Sequence, residues 1–232
     1  MDSNVLFEGL LWYIAFLFST TCHEAAHAWA AKRGGDMTAY AGGQVTLDPL
    51  PHIRREPFGM VMMPWMSYLS GGWMMGWASA PYNPQWARAY PRRAAWMALA
   101  GPAANFAIVL AAVIAIHVGR TMGVLQLSGQ FAFDGLVSAT SDGLMQPLAA
   151  LLSVLFSLNL LLGAFNLLPF PPLDGFNVLG IFLPESATHK LMNFRDSLGA
   201  MTMIGLLVAW WAFDYVSEPV FINGLRLLYL PQ

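Results

Sequence analysis

The sequence predicts an all-α polytopic membrane protein: about four transmembrane helices, one re-entrant or interrupted segment, and short membrane-associated β-strands. Composition is the first reason. Hydrophobic residues are 57% of the 232 and charged residues only 10%, where a soluble domain averages about 25% charged. The second is the run of apolar stretches at 5–31, 94–118, 147–168 and 197–213, each long enough to cross a bilayer as a helix. The third is a further apolar stretch, 57–80, broken by Pro64 and by Gly71-Gly72. One domain, residues 1–232, accommodates this length. No basic segment precedes the first apolar run, so no cleavable signal peptide is expected. The single cysteine excludes an internal disulfide. A net charge of −2 gives no case for nucleic acid.

The first helix carries Cys22-His23-Glu24-Ala25-Ala26-His27 and ends at Lys32-Arg33-Gly34-Gly35, basic anchors followed by a helix stop. On a helix His23 and His27 face the same way, one turn apart, and two imidazoles at that spacing can grip one zinc ion. Glu24 lies beside them, where it can take a proton from metal-bound water. Three ionisable residues in five are costly on a helix otherwise built of Leu, Phe, Ile, Trp and Ala, so a functional site is expected. Cys22 is about 100° around the helix from His23 and reads as a small buried apolar residue.

Residues 40–47 read as a short strand pair around glycines, broken at Asp48-Pro49. His52, beside Arg54 and Arg55, reads as a solvated loop residue rather than a fourth ligand. Segment 57–80 is a kinked span or a re-entrant hairpin, with Trp73, Trp77, Tyr82 and Trp86 suited to an interface belt. The span 94–118 contains Gly101-Pro102-Ala103-Ala104-Asn105, small residues for close helix packing. Asn105 is either glue between helices or part of the site's lining. After a mixed loop at 119–146, the span 147–168 bears Asn159 and Asn166. It runs into Leu167-Leu-Pro-Phe-Pro-Pro-Leu-Asp-Gly175, where three prolines end regular helix. Asp174, after a span and between apolar neighbours, is a candidate third metal ligand. A last span, 197–213, is followed by a short amphipathic stretch at 219–230.

Basic residues mark the cytoplasmic side. If 57–80 crosses the membrane, the eleven Lys and Arg divide six to five and show no bias. If it enters and leaves on one side, Lys32, Arg33, Arg54, Arg55, Arg88, Arg92, Arg93, Lys190 and Arg195 share a face, against Arg120 and Arg226. The second arrangement also brings the His23/His27 end of the first span and Asp174 to one face. Both arguments favour a re-entrant 57–80 and a site toward the cytoplasm.

His23-Glu-Ala-Ala-His27, Gly101-Pro-Ala-Ala-Asn105 and Asn166-Leu-Leu-Pro-Phe-Pro-Pro-Leu-Asp174-Gly175 occur in an order that resembles the site-2 protease family of intramembrane zinc metalloproteases. The resemblance is to its short prokaryotic form without a PDZ domain and covers roughly residues 10 to 185. It implies His23, His27 and Asp174 as ligands of one Zn2+ per chain and Glu24 as catalytic acid/base. It implies Asn166 near the reacting carbonyl and membrane-associated strands at 38–47 and around 77–82. It also implies a transmembrane protein substrate and a place in a prokaryotic inner membrane. The chain departs from related short members in Asp48-Pro49-Leu-Pro-His52-Ile-Arg-Arg-Glu-Pro57, which carries two extra residues and arginine in place of aspartate. Two other readings keep the metal site without the hydrolysis: a membrane metal-ion carrier or sensor, and a helix-binding scaffold with a relic zinc site. Neither substrate identity nor oligomeric state is legible.

Overall fold

The first apolar run holds no helix breaker, and in the computed structural model it becomes α1 (Ser3–Gly34), 32 residues with Lys32 and Arg33 in its last turn. The structure describes residues 3–129 and 131–229. Past α1, Asp36 accepts hydrogen bonds from the Thr38 N–H (3.0 Å) and hydroxyl (2.6 Å). These close the single-turn helix α2 (Thr38–Ala41), where a strand was expected. Local side-chain capping competes successfully with a ladder here, and Gly43 at φ 72° turns the chain. Asp48 then accepts from the Leu50 N–H (2.9 Å) at the start of α3 (Leu50–Arg55). His52 lies on α3 and is fully buried, not solvated as its arginine neighbours suggest; its Nε2 faces Thr46 O at 3.2 Å.

Segment 57–80 doubles back. A π-helical turn (Phe58–Met62) leads into α4 (Met63–Gly71), with Pro64 at the join, where its missing N–H is tolerated. Gly72, at φ 74°, reverses the chain, and a non-helical arm returns beside the way it came. The Trp77 N–H donates to Gly59 O at 3.2 Å. Gly59 and Gly76 permit this approach: a Cβ on Gly76 would strike Gly59 O, and one on Gly59 would strike Trp77 O. At the base of the hairpin the Ser79 hydroxyl donates to Glu56 Oε1 (2.6 Å) and accepts from Arg55 Nε (3.1 Å). Residues 56 and 79 are therefore neighbours, and the segment ends where it began. The arm around 77–82 joins no sheet among the described residues.

Next come α5 (Pro84–Ala89), capped by Asn83, and α6 (Pro91–Thr121). The two-strand sheet forms in the stretch read as a mixed loop. β1 (Leu125–Leu127) pairs antiparallel with β2 (Val137–Ala139), and its apolar side is buried. Then follow α7 (Met145–Asn166), the five-residue α8 (Asp174–Val178), α9 (Glu185–Leu198) and α10 (Thr202–Leu225). The last helix runs straight through Pro219, so the separate amphipathic stretch expected at 219–230 is largely its continuation. Among the described residues, four helical stretches are long and apolar enough to cross a membrane: 5–34, 91–121, 145–166 and 185–225.

The centre is a three-helix layer of α1, α6 and α7. His27 meets Met97 while His23 meets Asn105, so α1 and α6 run antiparallel. Trp12, Phe16 and Val154 share one apolar cluster, and Ser19 meets Asn159, so α1 and α7 run parallel. The second apolar cluster packs Val109, Ile116 and Phe156 against the sheet and the end of α10. With this topology the C-terminal ends of α1 and α7 lie together.

Candidate metal centre

The two histidines sit on α1 where Gly101 of α6 crosses it. A Cβ on Gly101 would lie 2.5 Å from His23 Nε2, 2.6 Å from His27 Cε1 and closer still to His27 Nε2. Only a residue without a side chain leaves space in front of both rings. His23, Glu24 and His27 are each 6% exposed.

Each ring is pinned at its back. His27 Nδ1 lies 2.7 Å from Met97 O. A carbonyl only accepts, so Nδ1 carries the proton and Nε2 the lone pair. His23 is held by a longer chain whose direction is fixed at its far end. Asn159 Nδ2 donates to Leu155 O (2.8 Å), another obligate acceptor, and to Ser19 Oγ (2.8 Å). Asn159 Oδ1 must then face Asn105 Nδ2 (2.9 Å), which turns Asn105 Oδ1 toward His23 Nδ1 (2.6 Å). His23 Nδ1 therefore donates as well. Ser19, Asn105 and Asn159 are fully buried. Asn105 is thus both glue between helices and support for the site.

Asp174 reaches the pair from the first position of α8. Its Oδ2 is 3.1 Å from His23 Nε2 and 3.2 Å from His27 Nε2, and the two Nε2 atoms are 3.0 Å apart. Three lone-pair atoms thus converge with no proton assigned between them, an arrangement that calls for a cation. The triangle also has the right size, since tetrahedral zinc with bonds of about 2.0–2.1 Å separates its ligands by about 3.3–3.4 Å. Backbone and amide partners behind both imidazoles are the usual outer support of such ligands. The residues present fit a zinc ion.

Glu24 is next to the histidines, and its carboxylate enters no hydrogen bond or ion pair among the described residues. Asn166 ends α7, and its Nδ2 donates to Leu162 O at 3.0 Å, which leaves one N–H of the amide unused. His52 is not among the donor group. Cys22 is half-buried and lines a groove of about 860 Å3 between α1 and α6, together with Phe18, Ala26, Trp29, Ala107 and Ala111. That face excludes it from the donor set.

Two partners were not legible in the sequence, Met97 O and Ser19. Asn159 left a trace as a polar residue in an apolar span. Outside the membrane layer, Asp36 ties the end of α1 to the start of α5, accepting from the Asn83 N–H at 2.7 Å. Burial pushes its carboxyl upward, but hydrogen bonds from Thr38 and Asn83 outweigh that and hold it below the usual carboxylate range.

Membrane-length helices, a His-Glu-x-x-His pair on the first of them and a carboxylate as the third donor define a membrane metallopeptidase. The chain belongs to peptidase family M50, whose model matches residues 11–210. It is 31% identical over 212 residues to "Putative zinc metalloprotease YwhC" of Bacillus subtilis, an alignment covering 91% of this chain and 85% of that one. It is also similar to "Putative zinc metalloprotease Rip2" of Mycolicibacterium smegmatis (27% identical, 86% and 71% covered) and of Mycobacterium tuberculosis (29%, 86% and 71%). No solved structure matches the chain.

Proposed function

We propose that this member of the zinc metalloprotease family hydrolyses a peptide bond in or near a transmembrane segment of a membrane-protein substrate. The observation that carries the reading is the convergence of three lone-pair donors, two of them buried on the membrane-length helix α1 and the third at the start of the short helix α8. His23, His27 and Asp174 hold one Zn2+, and three protein ligands leave a fourth position open, the pattern of catalytic sites. When bound, zinc supplies a Lewis acid that polarises the scissile carbonyl and acidifies water. Glu24 is the proton carrier: it takes a proton from the attacking water and delivers it to the leaving amine. That carboxylate makes no hydrogen bond or ion pair among the described residues, which supports this role and disfavours a metal-carrier reading, in which it has no task. Asn166 donates its unused N–H to the oxyanion that develops on the substrate. A helical substrate must unwind before attack, and the unpaired arm around residues 77–82 offers it a backbone to pair with.

The hairpin geometry at residues 56 and 79 supports a site near the cytoplasmic face of a prokaryotic inner membrane, with the nine clustered basic residues on that side. The test is paired, on one purified Glu24→Gln sample. Zinc content should stay at one per chain, while cleavage of a transmembrane substrate falls by about 10²–10⁴. A variant that keeps its zinc and cleaves at the parental rate removes Glu24 from the chemistry. A parent protein that binds zinc and cuts no transmembrane substrate favours the carrier.

A further inference from the structure

Asp174 is the one donor that a long helix does not fix. It opens a helix of only five residues, α8, preceded by a loop with three prolines. Five residues make little more than one turn, too few to hold an orientation without outside contacts. α8 packs chiefly against α6, and two consecutive residues of α9 add side-chain contacts to it. The Phe194 ring packs against Phe176, centroids 6.4 Å apart, and Arg195 Nη1 donates to Asn177 Oδ1 at 2.9 Å. Asn177 is three residues beyond Asp174, on the next turn.

Arg195 is itself held on its other edge. Its Nε and Nη2 donate to Asp196 Oδ1 (3.1 and 3.0 Å), and Asp196 Oδ2 accepts from Arg88 Nη2 at 2.6 Å. Arg88 Nη1 also donates to Asn193 Oδ1 at 2.8 Å. Arg88 belongs to α5, which is fastened to the end of α1. There the Asn83 N–H reaches Asp36 Oδ2, and the Trp86 indole N–H reaches Gly34 O at 3.0 Å. A strap of polar contacts, joined through the short helix α5, therefore runs from the end of α1, two turns beyond His27, through α9 to the turn beyond Asp174. Its use of arginine is apt, because a guanidinium can serve Asn177 and Asp196 at once while a lysine cannot.

We infer that Arg195 is a positioning residue: through Asn177 it sets the carboxylate of Asp174 against the histidine pair. The inference rests on the metal reading above. It is tested on the full chain in detergent by zinc affinity, from chelator competition, and by the visible absorption of the Co2+-loaded protein, which reports ligand geometry. Arg195→Gln should weaken zinc about tenfold, the lower end for loss of an outer partner, and should shift the Co2+ bands. Asn177→Leu should do the same, and Asn177→Asp should hold zinc at least as tightly as the parent. In an Asp174→Ala background, Arg195→Gln should change nothing further, because the residue through which it acts is gone. Parental affinity and spectrum in both Arg195→Gln and Asn177→Leu overturn the inference. So does an equal tenfold loss with and without Asp174, which marks a general effect on folding. A parent protein that binds no zinc overturns the metal reading and this one together, whereas zinc lost in Asp174→Ala and kept in Arg195→Gln overturns this one alone.

Discussion

Gly101→Ala adds one methyl group where the structure has least room for it. The new carbon would stand 2.5 Å from His23 Nε2 and nearer to His27 Nε2, about 1 Å inside an ordinary non-bonded contact. Either α6 backs away from α1 or the rings turn aside. The rings cannot turn freely, since His23 Nδ1 is held at 2.6 Å and His27 Nδ1 at 2.7 Å. Overpacking of this kind costs about 1–3 kcal/mol. Each outer partner lost from a metal ligand costs about 10–100-fold in affinity. One displaced ring thus implies a loss of at least about tenfold, and two displaced rings about 10²–10⁴-fold. Zinc affinity on purified protein measures it, with circular dichroism to confirm that helix content persists. Gly119→Ala is the control on the same helix: there the added carbon meets Cδ1 and Cγ of the buried Leu125, far from the donors, so overpacking should cost about 1–3 kcal/mol of stability while zinc affinity holds. Parental zinc affinity in Gly101→Ala would refute the placement of the donor atoms against α6.

Asn159→Leu should weaken zinc about tenfold by freeing Asn105 to turn. Adding Asn105→Asp should restore it, because either carboxylate oxygen accepts from His23 Nδ1; a double variant as weak as Asn159→Leu shows that the amide chain does not set the ring. Asp36→Ala should cost about 1.5–3 kcal/mol, the worth of hydrogen bonds to a charged group. The Asp36 carboxyl is held low in the folded protein, so its contribution is complete above the unfolded value of about 3.9 and fades as pH falls through the folded one. Thermal unfolding at pH 7 and pH 3 should therefore show less acid sensitivity in Asp36→Asn than in the parent, and equal sensitivity removes Asp36 from the account. In a Cys22→Ser background, cysteines at Leu47 and Arg88 should label from one side of the membrane and a cysteine at Met122 from the other. Labelling of 47 and 88 from opposite sides would show that the hairpin crosses.

What the sequence made legible was what neighbouring residues decide. His23, Glu24 and His27 lie within five positions on one helix, so periodicity alone places them. Asp174 is 147 residues from His27, and only the charge count, acting through topology, brought it to the same face. The re-entrant hairpin was legible for the same reason, and because Gly71-Gly72 marks its turn. The strands were misplaced because Tyr40 to Leu47 has the composition of a strand but no partner, while Asp36 offers its backbone a cap. His52 was misread because its sequence neighbours are charged, while the fold buries it and turns its ring toward the Thr46 carbonyl. Met97 O, a backbone atom, has no signature in any side chain. The strap through Arg195 is invisible for a related reason: arginines on an amphipathic helix look like solvent-facing charge until Asn177 is seen beneath them.

The close approach of Gly59 and Trp77 fixes the parity of the chain. Between His27 and Asp174 two helices, α6 and α7, are long and apolar enough to cross a membrane, and an even number of crossings is the only kind that returns a ligand to its partners. The hairpin contributes zero to that count, so lengthening, shortening or replacing it leaves the handedness of everything downstream unchanged. An added piece at that point can be of any size, provided it too comes back to the face it left. A single extra crossing anywhere between the two ligand sets would carry Asp174 to the far side of the bilayer, however well each helix still packed.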